Sequence, residues 1–139
     1  MTSQKFDPIR NKSAEIIEFI MSSPEIPDDP AAEFKIRLSV EEVVENVVRY
    51  AYEDGAGCLE ATVDKVAATG NSVLLTITIT DQGTPFNPLE REDPDITLSA
   101  EERNIGGLGI FLCKQMMDEV QYCYEDGSNI LTMKKIIAQ

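Results

Sequence analysis

Residues 59–81, LEATVDKVAATGNSVLLTITITD, decide the architecture. Leu59, Ala61 and Val63 alternate with polar residues, and Leu75, Ile77 and Ile79 alternate with Thr76, Thr78 and Thr80, the period of two that gives a strand one buried face. Gly70-Asn71 between the runs reads as a turn, so the pair is a hairpin. On its N-terminal side Asp29 is a good N-cap and Pro30 suits a first turn, and AAEFKIRLSVEEVVENVVRYAY continues with helical spacing. Ser39 is a candidate break, and Gly55 with Gly57 should stop the helix. Upstream, residues 13–22 carry Ile16, Ile17 and Ile20 at helical spacing, a short amphipathic helix ended by SSPEIPDDP. Downstream, Leu108, Phe111, Leu112, Met116 and Met117 form the apolar face of another helix. Two last strands, at about 119–125 and 129–137, are joined by an Asp-Gly-Ser-Asn turn.

Between Asp81 and that helix, QGTPFNPLEREDPDITLSAEERNIGG is polar, proline-containing and without period. A loop this long within a compact domain is usually functional, and residues 84–106 are expected to form a mobile lid. The 139 residues suit one domain with one core. A formal charge of −13 repels phosphate backbones and anionic lipid surfaces, so direct nucleic-acid or membrane binding is not expected. A nucleotide would instead need local backbone amides, a cation and an arginine.

Cys58, Cys113 and Cys123 are widely spaced, which argues against a disulfide framework or a zinc site. The N-terminal MTSQKFDPIRNKSAEIIEFI lacks a signal-peptide pattern, and no run reaches the length of a membrane span. A cytoplasmic location is the expectation. Histidine is absent, so histidine catalysis and imidazole ligation by this chain are excluded.

Three groups of residues point to chemistry. Glu42, Asn46 and Arg49, four and then three apart, share one helix face, with the valines on the other. A solvated polar face would explain the charges, but asparagine is a mediocre helix former whose amide oxygen suits a hard cation. Asp81 ends a strand, followed by Gln82-Gly83. An ordinary turn explains this pattern, as does a carboxylate that accepts from an exocyclic amino group while Gly83 lets a flat ring approach. Gly106, Gly107 and Gly109, with Leu108 between, open a helix; a structural turn competes with a phosphate site made of N-terminal amides. Neither the Walker nor the dinucleotide glycine pattern is present.

Taken in order, these stretches resemble the GHKL ATPases, and among them the small anti-sigma-factor serine kinases of bacterial partner-switching systems. VEEVVENVVRYAY resembles the N-box, TITDQGTPFNP the first glycine box and ERNIGGLGIFLCKQMMDEVQY the second. The resemblance implies one α+β domain of the Bergerat type, a two-layer sandwich of a mostly antiparallel mixed sheet with helices on one face. It also implies ATP and Mg²⁺ as cofactors. Carried over by position, it makes Glu42 the general base, Asn46 the Mg²⁺ ligand, Asp81 the adenine partner, Gly83 the residue beneath the base and Gly106 to Gly109 the phosphate cradle. Arg103 is then the residue that reaches the γ-phosphate. Two departures stand out: Tyr50 occupies a position where many members carry His, and Asn104-Ile105 separate Arg103 from the double glycine, a longer spacing than the closest pattern has.

The implied function is an ATP-dependent serine/threonine protein kinase that phosphorylates a STAS-type antagonist and sequesters a sigma factor or similar client. The alternative, motivated by Arg103, is a nucleotide-binding partner-switching module without phosphoryl transfer. A sensor histidine kinase is disfavoured by the missing phosphoacceptor histidine, and chaperone or mismatch-repair ATPases by length. Homodimerisation is a further expectation of the resemblance, with the apolar N-terminal helix as candidate interface.

Overall fold

The computed structural model describes residues 1–52, 57–90 and 107–138. Along the chain run β1 (Thr2–Phe6), α1 (Ser13–Met21), α2 (Pro30–Tyr50), β2 (Leu59–Ala67), β3 (Ser72–Asp81), α3 (Gly107–Met116), β4 (Glu119–Glu125) and β5 (Ser128–Ala138). The five strands form one sheet in the order β1-β2-β3-β5-β4. Every described pairing is antiparallel, so the parallel admixture expected of a mixed sheet is absent among the described residues.

Alternation decides which face is covered. Leu59, Ala61 and Val63 on β2, Leu75, Ile77 and Ile79 on β3, and Leu131 and Met133 on β5 are buried and join one core with Ile16 and Ile20 of α1, Ile36, Val40 and Val44 of α2, and Cys113 of α3. The opposite face carries Thr62, Thr76, Thr78 and Thr132, none of them buried. Register also aligns Val66, Leu74 and Ile136 in one row across that open face, Ile136 being 58% exposed. The result is the expected two-layer α+β sandwich with its helices on one side.

Helix α2 starts where the sequence says it should: the Asp29 carboxylate accepts from the Ala31 amide at 3.1 Å and Pro30 takes the first turn. The candidate break at Ser39 does not occur: the helix runs through it, with the Ser39 hydroxyl donating back to the Lys35 carbonyl at 3.0 Å. The apolar face of α1 is spent inside the molecule, with Ile16, Ile17, Ile20 and Met21 buried, and is therefore not the free interface its composition suggested. β1 was not anticipated. It pairs with β2 from Thr2↔Val63 to Phe6↔Leu59.

Helix α3 is anchored through its C-terminal half. Its last turn offers the Met116 carbonyl to the Lys135 ammonium at 2.9 Å, a cation where the helix dipole favours one. Within it, the buried Cys113 thiol donates to the Ser39 carbonyl of α2 at 3.4 Å. Burial pushes the Cys113 thiol up to about 12, opposed by the Ser39 hydroxyl and helped by the negative Glu42.

The core argument predicts a contrast within one residue type. Ile77→Ala, at a fully buried position, is expected to cost about 2–5 kcal/mol of unfolding free energy in urea titration, and Ile136→Ala, on the open face, less than about 0.5 kcal/mol.

Candidate functional site

A cleft lies where the C-terminal half of α2, the end of β3, the start of β5 and the start of α3 meet. Its walls include Val43, Asn46, Val47 and Tyr50 from α2, Ile79 and Asp81 from β3, Ile110 from the first turns of α3, and Tyr122, Asn129 and Leu131 from β4 and β5. Its empty space, open mouth included, is about 490 Å³. Apolar walls with a few convergent polar groups are what a flat heterocycle requires.

Asp81 sits at the bottom, 5% exposed. Its Oδ1 accepts from the Gly83 amide and from Asn129 Nδ2, each at 2.9 Å. Among the described residues nothing donates to Oδ2. Burial raises the Asp81 pKa above the ordinary value of 3.8, and the bonds from Asn129 and Gly83 counter that rise.

Asn46 lines the same cleft, one turn along α2 from Glu42. Its Nδ2 donates to Glu42 Oε1 at 3.2 Å. A carboxylate can only accept, so the nitrogen must face Glu42, and Asn46 Oδ1 is left without a described partner. An amide oxygen held in this way suits a hard cation.

Gly83 has a steric reason for being glycine. A Cβ there would lie 2.0 Å from the Ala51 carbonyl, because the chain after β3 passes directly under the end of α2 and Thr84 donates its amide to that carbonyl at 3.0 Å. Gly107, Leu108 and Gly109 form the first turn of α3. Gly106 and Arg103 lie outside the described residues, as does the 91–106 part of the expected lid. The described part, 84–90, carries Phe86 and Pro88 into the cleft wall and ends in a short 3-10 turn, Pro88–Glu90.

Two residues escaped the sequence reading. Asn129 lies directly across from Asp81 on β5. Besides Asp81 its Nδ2 approaches the Thr84 carbonyl at 3.1 Å and the Gly83 carbonyl at 3.4 Å, and its Oδ1 accepts from the Phe86 amide at 3.2 Å and from the Tyr122 hydroxyl. Tyr52 braces the segments beside the cleft: its hydroxyl donates to the Cys58 carbonyl at 2.7 Å and accepts from the Gln82 amide at 2.8 Å. Its ring fills the space that a Cβ on Gly57 would need. The only signals in sequence were an asparagine after a turn and a tyrosine before glycines.

Residues 12–135 match the histidine kinase-like ATPase domain family. The chain belongs to that family. As a histidine kinase-like ATPase domain it is 32% identical, over 108 residues, to the serine-protein kinase RsbW of Listeria monocytogenes, and 27% identical over 105 residues to the protein of that name from Bacillus thuringiensis. These alignments cover 73% of the chain, which spans 64% and 62% of those relatives' lengths. Among solved structures, the fold is shared with the RsbU and RsbW domains of a Mycobacterium tuberculosis protein (TM-score 0.56, 16% identity, 100% of this chain and 34% of that one). It is shared also with the mycobacterial sensor histidine kinase MprB (TM-score 0.51, 19% identity, 96% and 97% of the two chains). No described helix of this domain is long and apolar enough to cross a membrane.

The buried carboxylate gives the domain a pH signature. Because the folded pKa of Asp81 lies above its unfolded value, folding favours the protonated acid. That contribution is complete below the unfolded pKa and is lost as pH rises through the folded one. Asp81→Asn, which keeps an acceptor at Oδ1 without the charge, is therefore expected to raise the melting temperature at neutral pH. The gain should shrink on acidification, as read by thermal denaturation across a pH series.

Proposed function

We propose that this domain binds ATP with Mg²⁺ and transfers the γ-phosphoryl group to a serine of a small antagonist protein of the STAS type, and that it also holds a sigma factor or similar client. The observation that carries the reading is the convergence of Asn46 and Asp81 on one cleft beside the first turns of α3. The kinship with serine-protein kinases supports the choice of hydroxyl acceptor over histidine, and the cytoplasm is the compartment that fits.

Adenine would lie in the apolar cleft with its 6-amino group donating to Asp81 Oδ2. The phosphates would extend toward the amides of Gly106, Gly107, Leu108 and Gly109, where the helix dipole favours negative charge. Asn46 Oδ1 is the chain's ligand for Mg²⁺, which when bound neutralises phosphate charge. Glu42, beside Asn46, takes the proton of the serine hydroxyl as its oxygen forms the new bond to γ-phosphorus and the bond to the β–γ bridging oxygen breaks, releasing ADP. Arg103 supplies positive charge to the transferring group, and residues 84–106 act as the lid that excludes water.

A second reading, nucleotide binding that switches partners without transfer, is favoured by the two residues Asn104-Ile105 between Arg103 and the glycines. One experiment separates the two. With ATP, Mg²⁺ and a STAS partner shown to bind, the wild-type chain is expected to form phosphoserine, and Glu42→Ala to lower the rate by about 10²–10⁴-fold with nucleotide affinity nearly unchanged. Nucleotide binding without phosphoserine would select the second reading.

A further inference from the structure

We propose that Asn129 is a positioning residue for base recognition: it pins Asp81 so that Oδ2 alone faces the ligand, as an acceptor, and thereby selects a 6-amino over a 6-oxo purine. This rests on the reading of the cleft as a purine-nucleotide site, and deepens it.

The orientation of the Asn129 amide is forced by its neighbours. The Phe86 amide and the Tyr122 hydroxyl come to one end, and the Asp81 carboxylate with the carbonyls of Thr84 and Gly83 to the other. A flip would set N–H against N–H and oxygen against oxygen, losing bonds at both ends. A donor is therefore fixed on Asp81 Oδ1, where the Gly83 amide supplies a second.

Two N–H groups on Oδ1 leave no direction there for a proton. Any proton that Asp81 takes up goes to Oδ2 and turns it from acceptor into donor, the match for a 6-oxo group. The identity of the accepted base thus depends on keeping the carboxylate ionised. The groups around it offer little help: α2 contributes Asn46 and Tyr50, β4 Tyr122, β5 Asn129 and Leu131, α3 Ile110, and the segment after β3 Thr84, Phe86 and Pro88. Among the described lining residues no lysine or arginine, and no second carboxylate, is present. Among the described residues, ionisation against burial is left to the two N–H dipoles, and Asn129 provides one of them.

The same geometry makes a prediction for Asp81→Asn. With Asn129 intact, the new amide must turn its oxygen toward the two N–H donors, which points its NH₂ into the cleft and favours a 6-oxo base.

The test is equilibrium binding of ADP and inosine diphosphate, each with Mg²⁺, to the full chain by titration calorimetry between about pH 6 and pH 8. Wild type should prefer ADP throughout. Asn129→Ser should keep that preference near pH 8 and lose about tenfold of it near pH 6. Asp81→Asn should prefer inosine diphosphate, and the double variant, whose amide is free to flip, should discriminate little. Equal weakening of both nucleotides by Asn129→Ser at every pH would reduce Asn129 to a structural role and overturn the proposal. So would Asp81→Asn without a gain for inosine diphosphate, and this arm decides the matter if Asn129→Ser fails to fold by circular dichroism. Wild type binding neither nucleotide would instead overturn the nucleotide reading itself, whereas strong ADP binding with unchanged Asn129 and Asp81 profiles would sink only the present inference.

Discussion

Two N–H groups converging on one oxygen of Asp81 hold this end of the molecule together. Asp81 is a buried carboxylate, and burying charge without compensation is among the costliest things a fold can do. The compensation comes from the Gly83 amide, two residues along the same chain, and from Asn129 on the neighbouring strand. Because Asn129 also binds the backbone at 83, 84 and 86 and the Tyr122 hydroxyl, neutralising the carboxylate simultaneously fixes the exit of β3, the start of β5 and the inner face of β4. A slip of one residue between β3 and β5 would turn Asn129 to the open face and leave Asp81 with a single donor.

The second constraint is steric. Gly83 lets the chain pass beneath the end of α2, and Gly57 makes room for the Tyr52 ring, whose hydroxyl then links the beginning of β2 to the end of β3. Helix and sheet therefore approach closely at the site and nowhere need a bulky filler there. The cleft is what remains above this contact: Val43 and Val47 on one wall, Ile79 and Leu131 on the other, and polar atoms only at its floor and rim.

Much of this was legible in the sequence. The β2–β3 hairpin and α2 each carry their period over enough residues to be unambiguous, and Asp29-Pro30 marks the start of α2 to the residue. β1 was illegible because, of TSQKF, only Phe6 is buried, so an edge strand with one core residue shows no alternation. Asn129 was read merely as part of a turn, since its role depends on a partner 48 residues away and on a register that no local pattern encodes. At Gly83 the residue pattern allows a turn or a flat ring, whereas the close approach to Ala51 joins two segments distant in sequence and cannot be seen in one dimension. Glu42 and Asn46 needed only the helical period, which is why their adjacency survived intact.

One modest contact has a kinetic consequence. A thiol with the pKa of Cys113, about 12, holds roughly one part in 10⁵ as thiolate at neutral pH, and it is sealed between α2 and α3. Cys58 and Cys123 are more accessible and should react with a thiol reagent first. Slow labelling of Cys113 would then count the moments at which α3 lifts away from α2. The chain thus carries its own clock for the opening of the helix whose first turn borders the cleft, readable as the mass that the thiol reagent adds.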